Sequence, residues 1–291
     1  MFAEKLAKLP VEEAIRKYVY LNVVQMTTMW ETAKSIGDFQ LQGTGVELVA
    51  GCGLLSSVVA KVEDVEKIYA VEICEEITAT LLPRVSEAVL GANNSKVIPV
   101  VGSFDDMRLE DQSIDFIVEI DSLHHSHDLG TTLRECSRII KPGGYLICFD
   151  RCHPNYVTDD QVKKMLDKVY SKEFLLANGY PSDKPLTRRQ NGEHEYRKYE
   201  WQDAFATAGF ELLETQRVRK KLDISIAMKG LISLLPAFLR NKMIKDNSET
   251  FSTFLHWLSR KMGSYKNSLG RSYVGPKNST VFVLKKQRTL G

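Results

Sequence analysis

Cysteine is scarce in this chain: five residues, at positions 52, 74, 136, 148 and 152, an odd number with no C-x-x-C pair. That arrangement argues against a disulfide framework and against a structural zinc site, and it fits a reducing cytoplasm. Nine prolines and 18 glycines are too few for a collagenous or linker-like chain. No uncharged apolar run is long enough for a transmembrane helix. The opening stretch carries Glu4, Lys5 and Lys8 where a signal peptide needs its apolar centre. Net charge is almost absent, at +2, while 43% hydrophobic and 26% charged residues are globular values. The 291 residues make one large domain or two modest ones.

The small net charge conceals an asymmetry. Residues 1–160 hold 14 basic and 25 acidic side chains, and the remainder holds 25 basic and 12 acidic. Either the second half faces an anionic partner or two oppositely charged surfaces are simply solvated.

Periodicity divides the chain. Val11, Ile15, Val19, Val23, Met26 and Trp30 recur at helical spacing after Pro10, which predicts an amphipathic helix ending near Gly37. Short β-like runs follow at 45–50, 67–72, 97–101, 114–120 and 144–149. Helical patterns lie between them at 54–63, 75–90 and 129–140, and Lys141-Pro142-Gly143-Gly144 stops the last of these. Strands alternating with helices predict βαβ units and a doubly wound, mostly parallel α/β sheet. Residues 151–199 are polar and turn-rich, 201–208 reads as a short helix, 210–218 and 280–286 as strands, and 222–270 as helical and basic. The resulting division is a helical cap (1–43), an α/β core (44–150), and a second half (151–291) that completes the same sheet and carries an insertion at 222–279.

Glu47-Leu48-Val49-Ala50-Gly51-Cys52-Gly53 sits where a buried strand gives way to a helix. Free backbone N–H groups there can hold a polar ligand, and glycine lets the ligand approach the backbone. Glu72 ends the next strand, at the spacing of an acid that accepts ribose hydroxyls. A strand before, a helix after and an acid at the next strand end together point to a nucleotide-type ligand.

From 44 to 150 the sequence resembles the class I S-adenosylmethionine-dependent methyltransferases. The resemblance rests on Glu47 to Gly53, on Glu72, and on Gly102-Ser103-Phe104-Asp105. It continues through Ile114-Asp115-Phe116-Ile117, Asp121-Ser122-Leu123-His124-His125, Leu133-Arg134-Glu135 and Arg138 to Gly144. It implies a Rossmann-like sheet of seven strands, the last lying antiparallel beside the fifth, and S-adenosyl-L-methionine as cofactor. Gly51 and Gly53 would pass under the cofactor, with Ala50 beside them. Glu47 would orient the turn and the amino group of the methionine moiety. Glu72, with its neighbour Ile73, would take the ribose. Phe104 with Ser103 or Asp105 would meet the adenine, and Asp121 and Ser122 would close the site. Two departures stand out: Val49 replaces the family's first turn glycine, and Ser103 stands where an acid is common.

Methyl transfer needs a base only when the acceptor arrives protonated. His153, just past the fifth strand, and His194 are the candidates, each with loop hydrogen bonding as its alternative role. No spaced metal-ligand set occurs, and no G-x-S-x-G elbow. The expected acceptor is a small-molecule, sugar- or lipid-type compound, either neutral or anionic, with no nucleic acid partner. Two other readings stay open: an NAD-type oxidoreductase, for which Ser56 is a marginal third small residue, and a degenerate binding protein whose turn Val49 has spoiled. In 222–262 a broad apolar face is ringed by lysine and arginine. That segment could pack on the sheet, lid an anionic amphipathic acceptor, or touch a membrane surface.

Overall fold

The computed structural model describes residues 10, 13, 30, 33–177, 180–217 and 279–288. Seven strands form one sheet: β1 (Gly43–Leu48), β2 (Val65–Glu72), β3 (Val97–Val101), β4 (Ile114–Ile120), β5 (Ile140–Arg151), β6 (Phe210–Arg217) and β7 (Ser279–Lys286). Their order is β3-β2-β1-β4-β5-β7-β6. All neighbouring pairs are parallel except the two made by β7, which runs antiparallel to both β5 and β6. The doubly wound Rossmann-like sheet and its inserted last strand thus match the expectation. Strand order reverses between β1 and β4, the switch point at which open α/β sheets leave a crevice above the strand ends.

Alternation along each strand feeds two cores. Phe116, Val118, Ile147, Phe149, Val281 and Val283 face one side, where they meet Leu54, Leu55, Val58 and Val59 of helix α1 (Leu54–Val59). Helix α2 (Leu82–Leu90) packs on the same side through Val85 and Val89. Ile117, Leu146, Cys148, Phe282 and Leu284 face the other side. There they meet Leu133, Cys136 and Ile139 of α3 (Leu129–Ile139). A period of two in the strands against three to four in the helices is what lets one sheet carry both layers.

Several boundaries differ from expectation for identifiable reasons. The helix expected over 75–90 begins as a π-turn, Ile77–Leu81, and becomes α-helical only at Leu82. Pro83 follows at the first turn of α2, where its missing N–H is tolerated. Helix α3 stops at Ile139 as expected, but β5 already starts at Ile140 and runs through the proline-glycine stretch. The pairing register with β4 shifts between Ile114 and Phe116 to absorb the extra residues. The polar stretch after β5 contains two helices that composition alone did not suggest, α4 (Asp159–Leu166) and α5 (Lys172–Ala177). Thr158 and Gln161 form a reciprocal capping box that starts α4. Helix α6 (Lys198–Thr207) opens three residues before Trp201 and buries Trp201 and Phe205 against Phe282.

Of the expected N-terminal helix, residues 33–36 are helical. Trp30 and Ala33 are buried, with Trp30 edge-on to Phe39 at 5.8 Å. Glu13 and Trp30 are helical as well, and the other residues of that helix, like the segment 222–262, lie outside the described residues. Among the described residues no helix is long and apolar enough to cross a membrane.

Candidate functional site

The glycine turn follows β1 directly. Val49, Gly51 and Gly53 all have positive φ, at 50°, 52° and 72°. The two glycines are required for different reasons. A Cβ on Gly53 would meet Leu82 Cγ at 2.7 Å, so packing of the turn on α2 demands glycine there. A Cβ on Gly51 would meet nothing within 4 Å, so the space above it is open to a ligand. That open ground lies beside Glu72, whose Oε2 accepts the Gly51 amide at 2.9 Å while Oε1 accepts the Cys74 amide at 2.9 Å. Each carboxylate oxygen keeps a second lone pair for a ribose-type hydroxyl. The glycine cradle and the acid beside it therefore fit the adenosyl cofactor that the sequence implies.

Glu47 lies beneath the turn. It is buried, and its Oε2 accepts the Ser56 amide at 2.7 Å and the Ser56 hydroxyl. Burial pushes its carboxyl up to about 8, against the pull of the Ser56 bonds. Ala50 is buried behind Gly51, whereas Ile73 is 74% exposed beside Glu72. On the adenine side, Phe104 is partly buried against the α3-side core. The Ser103 hydroxyl accepts the Asp105 amide at 3.2 Å, and one Asp105 oxygen is taken by the Thr132 hydroxyl. Ser122 is turned inward, its amide (3.2 Å) and hydroxyl (2.8 Å) both donating to Glu119 Oε2. Glu119 is fully buried, its Oε1 has no hydrogen-bond partner, and its carboxyl is pushed up to about 8 by burial and by Asp150.

Past the ends of β4 and β5 opens a cleft of about 830 Å³, lined in part by Asp121, Arg151, His153, Arg188, Glu193 and Glu195. Asp121 holds a left-handed backbone at φ 51°. Arg151 spans the cleft floor: Nε donates to Asp121 at 3.2 Å, Nη1 to Glu193 at 2.6 Å, and Nη2 to His124 Nε2. His124 in turn donates from Nδ1 to Asp150 at 2.7 Å. Burial disfavours the His124 imidazolium, but Asp150 outweighs it and raises the pKa, whereas burial and His124 hold His125 down at about 4. Arg188 pairs with both Glu193 and Glu195. Burial works against the Glu193 anion, yet the Tyr170 hydroxyl and the two guanidiniums hold its pKa down at about 2.

The two candidate bases part company here. His153 is buried on the cleft wall and donates from Nε2 to Glu195. In that tautomer Nδ1 keeps its lone pair. His194 does not line the cleft; its amide and Nδ1 both bond to the His124 carbonyl, at 2.8 and 3.1 Å. Alternation explains the difference: in an extended Glu193-His194-Glu195 the two acids share a face and the histidine takes the opposite one. Arg151, Arg188, Glu193 and Glu195 escaped the reading of the sequence, although the Glu-x-Glu spacing was a visible hint.

Asp121, His124 and Asp150 bring three ligand-type atoms within 4.8 Å of one another. The Arg151 guanidinium already contacts Asp121 and His124, so a cation of the protein's own occupies that corner.

Residues 47–148 match the family model described as a methyltransferase domain. The uncharacterized protein YafE of Escherichia coli (strain K12) is 32% identical over 85 residues, which is 29% of this chain and 41% of that protein. Malonyl-[acyl-carrier protein] O-methyltransferase 1 of Coxiella burnetii is 40% identical over 62 residues, 21% of each chain. The chain thus spans less than half the length of either curated relative. Geranyl diphosphate C-methyltransferase from Streptomyces coelicolor A3(2), solved with S-adenosyl-L-homocysteine, superposes with a TM-score of 0.55 at 12% identity, covering 89% of this chain and 79% of that one. Residues 47–148 thus match a methyltransferase domain, and the chain has the Rossmann-like fold seen in solved methyltransferases.

Proposed function

We propose that this protein transfers a methyl group from S-adenosyl-L-methionine to a small-molecule, sugar- or lipid-type acceptor bound in the cleft past β4 and β5. The observation that carries the reading is a pair of open grounds past the carboxyl ends of the neighbouring parallel strands β1, β4 and β5. Open space over Gly51 lies beside Glu72 on one side, and the cleft bounded by Asp121 and His153 lies on the other. When bound, the cofactor supplies a methyl group activated by its sulfonium. Gly51 gives it room, Glu72 and Glu47 orient it, and the cleft aligns the acceptor for in-line displacement. Displacement of the methyl group from sulfur by the acceptor oxygen or nitrogen would be the chemistry that the bound cofactor supplies. The acceptor's proton passes to His153 Nδ1, and Glu195 steadies the resulting imidazolium. The five free cysteines support a reducing compartment as the place of action.

Calorimetric titration with S-adenosyl-L-methionine, S-adenosyl-L-homocysteine and NAD tests the reading. The first two should bind and NAD should not, and labelled methyl should reach an acceptor from a panel of hydroxyl and amine compounds. Binding of NAD alone would replace the reading with an oxidoreductase. Tight binding of S-adenosyl-L-homocysteine without transfer to any acceptor would leave a binding protein.

A further inference from the structure

The charges on the cleft floor describe the molecule it takes. Three carboxylates, Asp121, Glu193 and Glu195, face two guanidiniums, Arg151 and Arg188. Both guanidiniums are committed: Arg151 to Asp121, Glu193 and His124, and Arg188 to Glu193 and Glu195. Lys168, the remaining cation of the lining, is exposed at the rim. The floor atoms that take no hydrogen bond among the described residues, Asp121 Oδ2 and His153 Nδ1, are both acceptors when His153 is neutral. The wall has another character. Val169 and Phe174 are 49% and 41% exposed at the mouth, and Phe174 stacks on Tyr170 with ring centroids 4.4 Å apart. Met165 joins them along the wall.

We infer that the acceptor is an amphipathic molecule with a hydrogen-bond-donating, non-anionic head, a hydroxyl or an amine, and an apolar body that lies along Met165, Val169 and Phe174. The inference rests on the methyl-transfer reading and narrows its acceptor. An entering hydroxyl or ammonium meets Asp121 Oδ2 and His153 Nδ1 without disturbing any existing pair. A carboxylate or phosphate that seats on the floor, rather than at the exposed Lys168, must pull a guanidinium from Glu193 or Glu195 and leave that buried acid unpaired, which is strongly unfavourable. The base side of the cleft makes the same selection, because a head that carries no proton to give has no use for His153.

The test uses the full chain saturated with S-adenosyl-L-homocysteine and four probes of one chain length: 1-octanol, octylamine, octanoate and octyl phosphate, each below its micelle concentration. Octanol and octylamine should bind at least about tenfold tighter than the two anions. The comparison of octanol with octylamine tells which donor head the floor prefers. Glu193→Gln, which removes the carboxylate neutralising both arginines, should raise octanoate affinity about tenfold or more. Phe174→Ala should weaken all four probes and leave S-adenosyl-L-homocysteine binding unchanged. Anions binding as tightly as octanol to the wild-type protein, or no probe binding at all, would overturn the inference, as would an octanoate affinity unmoved in a folded Glu193→Gln. If that variant does not fold, the wild-type ranking and Phe174→Ala decide. Titration of S-adenosyl-L-homocysteine alone separates this outcome from failure of the methyl-transfer reading, since Gly51 and Glu72, on which that binding chiefly rests, lie outside the cleft lining.

Discussion

The Gly51 amide donates to Glu72 at 2.9 Å, so the turn after β1 is tied to the end of β2 by the side chain to which the proposed function gives the ribose. One carboxylate thus serves the fold and the ligand together. Glu72→Ala should cost about 1–3 kcal/mol of stability, because the Gly51 and Cys74 amides both lose their acceptor. It should also weaken S-adenosyl-L-homocysteine binding at least about tenfold. Urea denaturation and calorimetry on the same preparation read the two effects separately.

Gly51→Val should behave differently. The space above Gly51 is empty of protein atoms, so the new side chain clashes with the ligand rather than with the fold. A β-branched residue at φ 52° still carries backbone strain of roughly 1–3 kcal/mol. Ligand affinity should fall by more than that strain accounts for in the unbound protein. Equal S-adenosyl-L-homocysteine affinities for a folded variant and wild type would remove the cofactor from this turn.

Val49 presents the converse case, since it already holds φ 50° with a branched side chain. Val49→Gly relieves that strain and gives back part of the gain as unfolded-chain entropy, for a net stabilisation of about 1 kcal/mol. A higher urea midpoint is the expected result. A lower one would mean that the half-buried valine side chain contributes more by packing than its backbone loses.

Stability should peak in mildly acidic solution. Glu47 and Glu119 keep their protons to about pH 8 in the fold, against an ordinary value of 4.5. Between those values the folded chain binds more protons than the unfolded one, so stability falls as pH rises. Glu193 has the opposite sign. Its pKa is held at about 2, so its contribution is complete above 4.5 and is lost as pH falls toward 2. Glu119→Gln should flatten the alkaline limb and Glu193→Gln the acid limb of a plot of urea midpoint against pH.

Cofactor binding should release a proton near neutral pH. An ammonium brought beside Glu47 favours the carboxylate and draws its pKa down from about 8. Calorimetry in buffers of different ionisation enthalpy measures the release directly, and Glu47→Gln should abolish it.

Most of the sheet was legible because β1 to β5 are compact apolar runs separated by helical patterns, a signal that survives without knowledge of contacts. Adding β7 beside β5 took the family resemblance, since nothing local in 279–286 says where it pairs. Helices α4 and α5 were hidden by polar composition, and the Thr158 and Gln161 cap is their only strong local mark. The glycine corner was legible because Glu47, Gly51, Gly53 and Glu72 lie within two strand ends. The cleft was not, because Arg151 and Glu193 meet across 42 positions of chain and single-sequence spacing carries no record of such a pair.

The place of β7 also orders the protein's synthesis. Val281, Phe282, Val283 and Leu284 fill the centre of both cores between β5 and β6, yet they leave the ribosome after everything that flanks them. Until then β5 carries an unpaired apolar edge and β6 has no neighbour, the condition in which nascent sheets recruit foreign strands. A chain that stalls before residue 279 therefore holds a complete glycine corner on a sheet that lacks the strand joining β5 to β6, and chaperone demand should concentrate in the interval before β7 emerges.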